Sequence, residues 1–403
     1  MRGLLLKLLF SLMLCLFILG TVLTAFVWYV FSYSDVKPRS SPSQVRKSPE
    51  SDTSACKDCR EYTIDKMVEL YSYAWKKQNA NFNKFRSQLS SRCRGVSTAI
   101  VTQNNTPLDS KIYYDGEKRK PLQVTPKLYS TFAKEQPFEN VTWKTCAVVG
   151  NGGILVNSSC GEAIDSAHFV FRCNLPPLDK AYQKDVGNKT NLVTANPSIL
   201  IEKFEGLMEY RRPFVESLSD YGEALLLLPA FSYAHNTPVS LRAFYTLRDF
   251  GGRARPAFLS PAYLQSLAHF WRAQGLRTVR LSTGLIVASL ALELCANVHL
   301  YGFWPHAQHP HDRRPLTNHY YDDRQGKKKV HAMPAEFGHL LRLHRQGVVR
   351  VHLGQCEDRP SSLMDLRHLC LQARETGPET RTRVDECPPS TPDLTTFAVA
   401  SRL

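Results

Sequence analysis

Ser282-Thr283-Gly284 is the first place where residue type and position could do chemistry. The triplet stands where an apolar helix should begin, running on through Val287 to Cys295. Ser or Thr there caps the helix, and the open N–H groups of its first turn attract an anion. A plain N-cap would read the same way. Gly150-Asn151-Gly152-Gly153, directly after the apolar run Ala147-Val148-Val149, is the second such place. Glycines after a strand let the backbone turn sharply and approach a ligand. Strand, glycine turn, helix, strand is nucleotide-binding grammar, although a tight turn alone would account for the glycines. The third stretch, Trp304 to Lys329, carries His306, His309, His311 and Asn318-His319-Tyr320-Tyr321-Asp322. An irregular segment of this kind beside a strand end is either disordered or functional. Its histidines match no HExxH-type spacing and have no nearby Cys, so a metal site is disfavoured. His331 follows, ahead of Glu336 and a helix ending near His344. A lone His before a helix is usually a bystander; this one shares a segment with His319.

Apolar periodicity supplies the elements that must hold these residues. Ala147–Val149 suits a buried strand, and Phe169 to Asn174 follows at about one βαβ repeat. Asn191 to Thr194 ends at Asn196-Pro197, Leu225 to Leu228 is stopped by Pro229, and Val298 to Phe303 forms a further strand. Tyr263 to Gln274 reads as a helix with Leu264, Leu267, Ala268 and Trp271 on one face. Tyr62 to Leu89, with Ile64, Met67, Leu70, Tyr71, Ala74 and Trp75 at helical spacing, reads as an amphipathic helix, ordinarily one that faces a core. Pro107 to Gln136 reads as loop.

The chain of 403 residues is 43% hydrophobic, enough for one large domain or two ordinary ones. A net charge of +15 points to an anionic partner, although much of it will be solvated surface. No nucleic-acid motif is present, so no nucleic-acid partner is expected. Leu8 to Phe31 is uncharged and apolar, long enough at 1.5 Å per residue for a hydrocarbon core of ~30 Å. Arg2 and Lys7 precede it and Trp28 and Tyr29 stand near its far end, which predicts an uncleaved type II signal-anchor with the remainder lumenal. The expected layout is a cytosolic tail at 1–7, the transmembrane anchor at 8–31, a stem at 32–92, the catalytic domain at 93–357 and a flexible tail at 358–403. Eleven cysteines suit an oxidising lumen. Cys56 and Cys59 form a CxxC with no second pair and are not read as a metal site. Sequons stand at Asn104, Asn140, Asn157 and Asn188; Asn196 precedes proline and is excluded.

These motifs, taken together, resemble those of the animal sialyltransferases, and within them the α2,8-sialyltransferases. Cys146–Pro197 resembles the large sialyl motif and Arg280–Phe303 the small one. His319-Tyr320-Tyr321-Asp322 resembles the third motif, and His331 with Glu336 the very short motif. All four occur in order, over roughly Cys93 to Glu357. CAVVGNGGIL, FRCNLPPL, TANPSI and HAMPAEF look most like the ganglioside-type enzymes. The resemblance implies an α/β, Rossmann-like fold, the sialyltransferase variant of the GT-A type. It implies CMP-sialic acid as donor substrate, with no cofactor and no metal, in the Golgi membrane. Asn151 and Asn174 would contact the cytidine monophosphate part, and Ser282, Thr283 and Gly284 would hold the donor. Trp304 would lie by the cytidine and His319 near the phosphate. Asn318, where family members often carry Tyr or His, would adjoin the donor. His331 would be the catalytic base. Disulfides would pair Cys146 with Cys295 and Cys160 with Cys356, and Cys173 would stay unpaired.

The implied reaction moves sialic acid to the 8-hydroxyl of a terminal sialic acid, on a ganglioside or, alternatively, on a sialylated O-glycan of a glycoprotein. A sugar hydroxyl is a poor nucleophile and needs a base, and His titrates in the right range. The departing CMP needs donors for its growing charge, which N–H groups at Ser282–Gly284 and His319 would supply. A membrane-tethered sialoglycan-binding protein without chemistry would keep the pocket and lose the base; the presence of His331 counts against it. A nucleotide-dependent oxidoreductase should show GxGxxG and an acidic residue after the second strand. Ile154 and Asn174 stand at those places instead. Oligomeric state is left open, a homodimer being one alternative.

Overall fold

A computed structural model describes residues 13–24, 64–72, 74–324 and 332–356. Residues 13–24 form a helix with exposed side chains. The rest of the expected anchor lies outside the described residues, and among the described residues no helix is long and apolar enough to cross a membrane. A second compact unit begins at Glu61. The tail at 358–403 and Cys56, Cys59, Cys370 and Cys387 also fall outside the described residues.

The second unit is built on a seven-stranded sheet. A small antiparallel pair comes first, β1 (Lys111–Ile112) with β2 (Leu122–Gln123). The main sheet comprises β3 (Trp143–Val149), β4 (Phe169–Arg172), β5 (Leu192–Thr194), β6 (Leu225–Leu228), β7 (Arg255–Phe258), β8 (Cys295–Tyr301) and β9 (Arg350–His352). Its order is β7-β6-β5-β4-β3-β8-β9, and every neighbouring pair is parallel. The chain steps outward from β3 to β7, returns, and adds β8 on the other side of β3. That reversal makes the carboxyl ends of β3 and β8 a topological switch point, where open α/β sheets bind ligands.

Helices cover both faces, which is why the central strands read as unbroken apolar runs. Cys146 and Val148 of β3 face one core with Trp271, Leu285 and Leu340. Ala147 and Val149 face the other with Phe214, Phe231 and Val239. The edge strands carry weaker signals. Pro256 lies in β7, where a missing N–H costs no ladder bond on the open side, and β9 is three residues long.

Disulfides join Cys146 to Cys295 and Cys160 to Cys356, the pairing that the family resemblance implies. The first ties β3 to β8 beneath the switch point. The second holds the chain after β9 to the segment following the glycine turn. Cys173 is unpaired and buried.

The amino-terminal boundary of the packed unit differs from expectation. Ile64, Phe82, Phe85 and Leu89 are buried in the core, so the unit includes residues placed in the stem. The pattern over Tyr62 to Leu89 also forms two helices, 64–71 and Asn79–Cys93. Between them the chain binds the sheet edge: Trp75 Nε1 donates to the Val349 carbonyl at 2.9 Å and the Gln78 N–H to the Gly347 carbonyl at 3.0 Å. Those tertiary bonds interrupt a helix that local periodicity would continue.

Candidate active site

Three adjacent strands end in loops bearing an asparagine, and the three are linked in a row. Asn151, after β3, donates through Nδ2 to the Cys173 carbonyl at 2.8 Å. Asn174, after β4, accepts at Oδ1 from the Asn196 N–H at 3.0 Å. Its own N–H donates to Thr194 Oγ1 at 2.9 Å. Asn174 has a φ of 64°, a left-handed conformation that asparagine tolerates because its short amide bonds nearby backbone. Asn196, after β5, donates through Nδ2 to Thr283 Oγ1 at 3.2 Å. The row therefore runs from the switch point to the start of the helix Thr283–Leu294. Asn196 carried no functional expectation; its signal was its place at a strand end, before a proline that opens the next helix.

The helix start is prepared in detail. Ser282 Oγ accepts from the Leu285 N–H at 3.1 Å, a side-chain cap. The Ser282 N–H donates to Glu336 Oε1 at 2.9 Å, and both residues are buried. Ser282 thus joins two helix starts, its own and that of Met333–Arg345. Thr283 and Gly284 are the first-turn residues whose N–H groups have no acceptor within the helix. They are the pair suited to an anion.

The glycine turn works differently from its sequence reading. A Cβ on Gly150 or Gly152 would fall 2.7 Å from the Gly302 carbonyl oxygen. The Gly150 N–H donates to the Tyr301 carbonyl at 2.8 Å and the Gly152 N–H to that of Gly302 at 3.1 Å. Gly302 itself has a φ of 73°. These glycines let the loops after β3 and β8 cross backbone on backbone, so the close approach is between two chain segments.

The His319 segment docks on this crossing. Gly152 and His319 form an isolated antiparallel bridge, and the Tyr320 N–H donates to the Asn151 carbonyl at 2.9 Å. His319 Nδ1 lies 2.8 Å from Asp322 Oδ1, and its ring stacks on Tyr321 with centroids 5.1 Å apart. Burial works against the Asp322 carboxylate, but His319 and the Arg324 N–H outweigh it and hold its pKa below the usual range. Asn151 Oδ1 is buried and, among the described residues, accepts no hydrogen bond of ordinary geometry, although the Tyr321 hydroxyl lies beside the Asn151 side chain. Burial pushes the Tyr321 phenol up to about 12 and the Cys173 thiol up to about 12, so both stay protonated at neutral pH.

Asn151, Asn174, Ser282, Thr283, Gly284 and His319 are thus joined through short contacts. Asn318 lies at the rim, donating through Nδ2 to the Arg324 carbonyl at 2.6 Å. Trp304 is buried, its Nε1 donating to the Gln308 carbonyl at 2.7 Å and its ring set against Phe337. Its indole is committed to the interior in this structure. His331 lies outside the described residues. Among the described residues, no group of three or more His, Cys, Asp or Glu side chains is placed to hold a metal ion. Asn104, Asn140, Asn157 and Asn188 are all exposed.

The structure thus presents a parallel α/β sheet with a capped helix start and a carboxylate-paired histidine at its switch point, the place where open α/β sheets bind ligands. Glycosyltransferase family 29 (sialyltransferase) matches residues 100–348. The chain belongs to that family. It is 42% identical over 330 residues to mouse alpha-2,8-sialyltransferase 8F, covering 81% of this chain and 83% of the relative. It is 46% identical over 293 residues to mouse alpha-2,8-sialyltransferase 8E, covering 73% and 71%. Bovine alpha-N-acetylneuraminide alpha-2,8-sialyltransferase is 43% identical over 285 residues, covering 71% and 80%. Among solved structures, a mammalian sialyltransferase aligns with 67% of this chain and 94% of its own, at a TM-score of 0.45 and 23% identity.

Proposed function

We propose that this sialyltransferase moves sialic acid from CMP-sialic acid to the 8-hydroxyl of a terminal sialic acid on a ganglioside. The observation that supports it best is the docking of the His319–Asp322 segment on the Asn151 turn, in a family whose 42–46% identical relatives carry α2,8 names. Donor cytidine would take the Asn151–Asn174 end of the row. Its phosphate would meet the N–H groups of Thr283 and Gly284, with the protonated form of His319 as a further donor. His331 would take the proton of the acceptor hydroxyl as that oxygen attacks the anomeric carbon. The anomeric carbon–phosphate oxygen bond breaks in line, with inversion, and CMP leaves with the electron pair. The chain's own donors then meet the charge on the leaving group, and the reading assigns no metal and no cofactor. The assignment of the sheet to the GT-A type goes with this reading, as do a type II anchor at 8–31 and a Golgi location.

The test uses the full chain, expressed in animal cells and solubilised in detergent. CMP-sialic acid is supplied with a chelator, against a monosialylated ganglioside and a sialylated O-glycoprotein. Disialyl product on the lipid is the expected result. Product on the glycoprotein alone would keep the reaction and overturn the acceptor. Binding of CMP without transfer to either would favour the non-catalytic sialoglycan-binding alternative.

A further inference from the structure

The row of strand ends continues past Asn196. The loop after β6 carries Ser232, Tyr233 and His235, three strands along from β3 and so roughly 14 Å across the mouth of the site at about 4.8 Å per strand. Arg280, just before the Ser282 cap, reaches this loop. Its guanidinium carbon lies 5.3 Å from the centroid of the Tyr233 ring. Tyr233 is fixed from several sides. Its ring packs against Gly116, where a Cβ would fall 2.4 Å from it, and stacks on His235 with centroids 5.4 Å apart. The Gly116 N–H donates to the Ser232 carbonyl at 2.9 Å, which ties the connection between β1 and β2 to the loop. Asp115, next to that glycine, places a carboxylate near Arg280. Its Oδ1 is buried and, among the described residues, makes no hydrogen bond of ordinary geometry; burial raises the Asp115 pKa, while Ser232 and Arg280 beside it act the other way. A guanidinium laid over an aromatic face keeps its edge N–H donors in a fixed fork that matches a carboxylate.

The reaction axis gives this cation a task. In-line displacement brings the acceptor oxygen to the face of the anomeric carbon opposite CMP. With the nucleotide at the ends of β3 and β4 and the phosphate at Thr283, the acceptor lies farther along the row, toward β6. We propose that Arg280, stacked on Tyr233 and steadied by Asp115, binds the carboxylate of the acceptor's terminal sialic acid. This rests on the α2,8 reading, because only an acceptor that itself ends in sialic acid brings that carboxylate. Arg280 would then select sialylated over neutral termini, with Tyr233 and Asp115 as positioning residues.

The experiment measures steady-state transfer by the full chain to two acceptors. One is a short oligosaccharide ending in sialic acid; the other is the same molecule with that carboxylate converted to an amide. The wild type should lose about 10-fold or more in kcat/KM on the amide. Arg280→Gln should raise the acceptor KM by about 10-fold, leave the donor KM within about twofold, and no longer distinguish the two acceptors. Arg280→Lys should recover part of the discrimination, since charge remains but the fork is lost. An equal amide penalty in wild type and a folded Arg280→Gln would overturn the proposal, as would an effect on donor KM alone. Thermal melting identifies a variant that has not folded, and Arg280→Lys is then read by the same two ratios. A wild type that transfers nothing to the sialylated acceptor removes the α2,8 reading itself, before any variant is made.

Discussion

Two groups of histidines occupy opposite kinds of environment in this molecule. His319 stands at the switch point, half-exposed, with a carboxylate at 2.8 Å on one ring nitrogen. His299, His344 and His352 lie at the β8–β9 edge among Tyr71, Trp75, Tyr301 and Arg350, with no acidic partner among the described residues. His299 Nδ1 and His352 Nε2 are 3.1 Å apart, a pairing that needs one neutral ring to accept. His344 Nδ1 accepts from the Val351 N–H at 3.0 Å, which a proton on that nitrogen would break. Burial first and Arg350 second push His299 and His344 down to about 4, and burial with His299 lowers His352 well below its ordinary value. The same side chain is an oriented polar group in one place and packing material in the other. The number of histidines is uninformative; their hydrogen-bond partners separate the two roles.

The largest effect is expected at His331, the proposed base. His331→Ala should reduce turnover by about 10³-fold while CMP still inhibits, read from single-turnover transfer and CMP competition. Near-normal turnover in the purified variant would remove His331 from the mechanism. Next in size, Asp322→Asn should lower kcat by about 10-fold or more, because His319 loses its orienting carboxylate, and should alter the pH profile. An unchanged profile would make the pair structural.

The edge group should answer to pH through stability. Its rings are neutral when folded, whereas an unfolded chain protonates them below about 6.5. The unfolded state therefore binds more protons between about 6.5 and 4, and stability falls as pH drops through that window. For His344 alone the loss is about 3 kcal/mol across the window. Thermal melting from pH 7.5 to 4.5 should show it, and His344→Gln, which keeps an acceptor for Val351, should flatten the slope. A slope unaltered by that change would place the acid sensitivity elsewhere. Smallest, Asn196→Ala removes the link between Asn174 and Thr283. It should cost about 1 kcal/mol in stability and raise the donor KM severalfold without touching the acceptor KM.

Much of the fold was legible because the central strands are buried on both faces. Ala147–Val149, Leu225–Leu228 and Val298–Tyr301 announce themselves as apolar runs. The edges were not legible, since an edge strand tolerates shortness or a proline, as β9 and β7 show. Six candidate residues lie side by side at the strand ends; Trp304 is buried, and Asn196 and Arg280 carry no local mark of a role. Their meaning depends on which strand ends lie side by side.

By itself the sequence determined the central strands, the cap at Ser282, the ordered motifs of the family and the cysteines. All of these depend on neighbours within a few positions or on patterns along the chain. The tertiary structure alone decided that β8 inserts beside β3, that Gly150 and Gly152 pack against Gly302, and that Glu336 takes the Ser282 N–H. It also decided which histidines are buried without an acid. These outcomes follow from contacts between segments far apart in sequence, where burial and partner identity set hydrogen bonding and charge, and no local pattern encodes them.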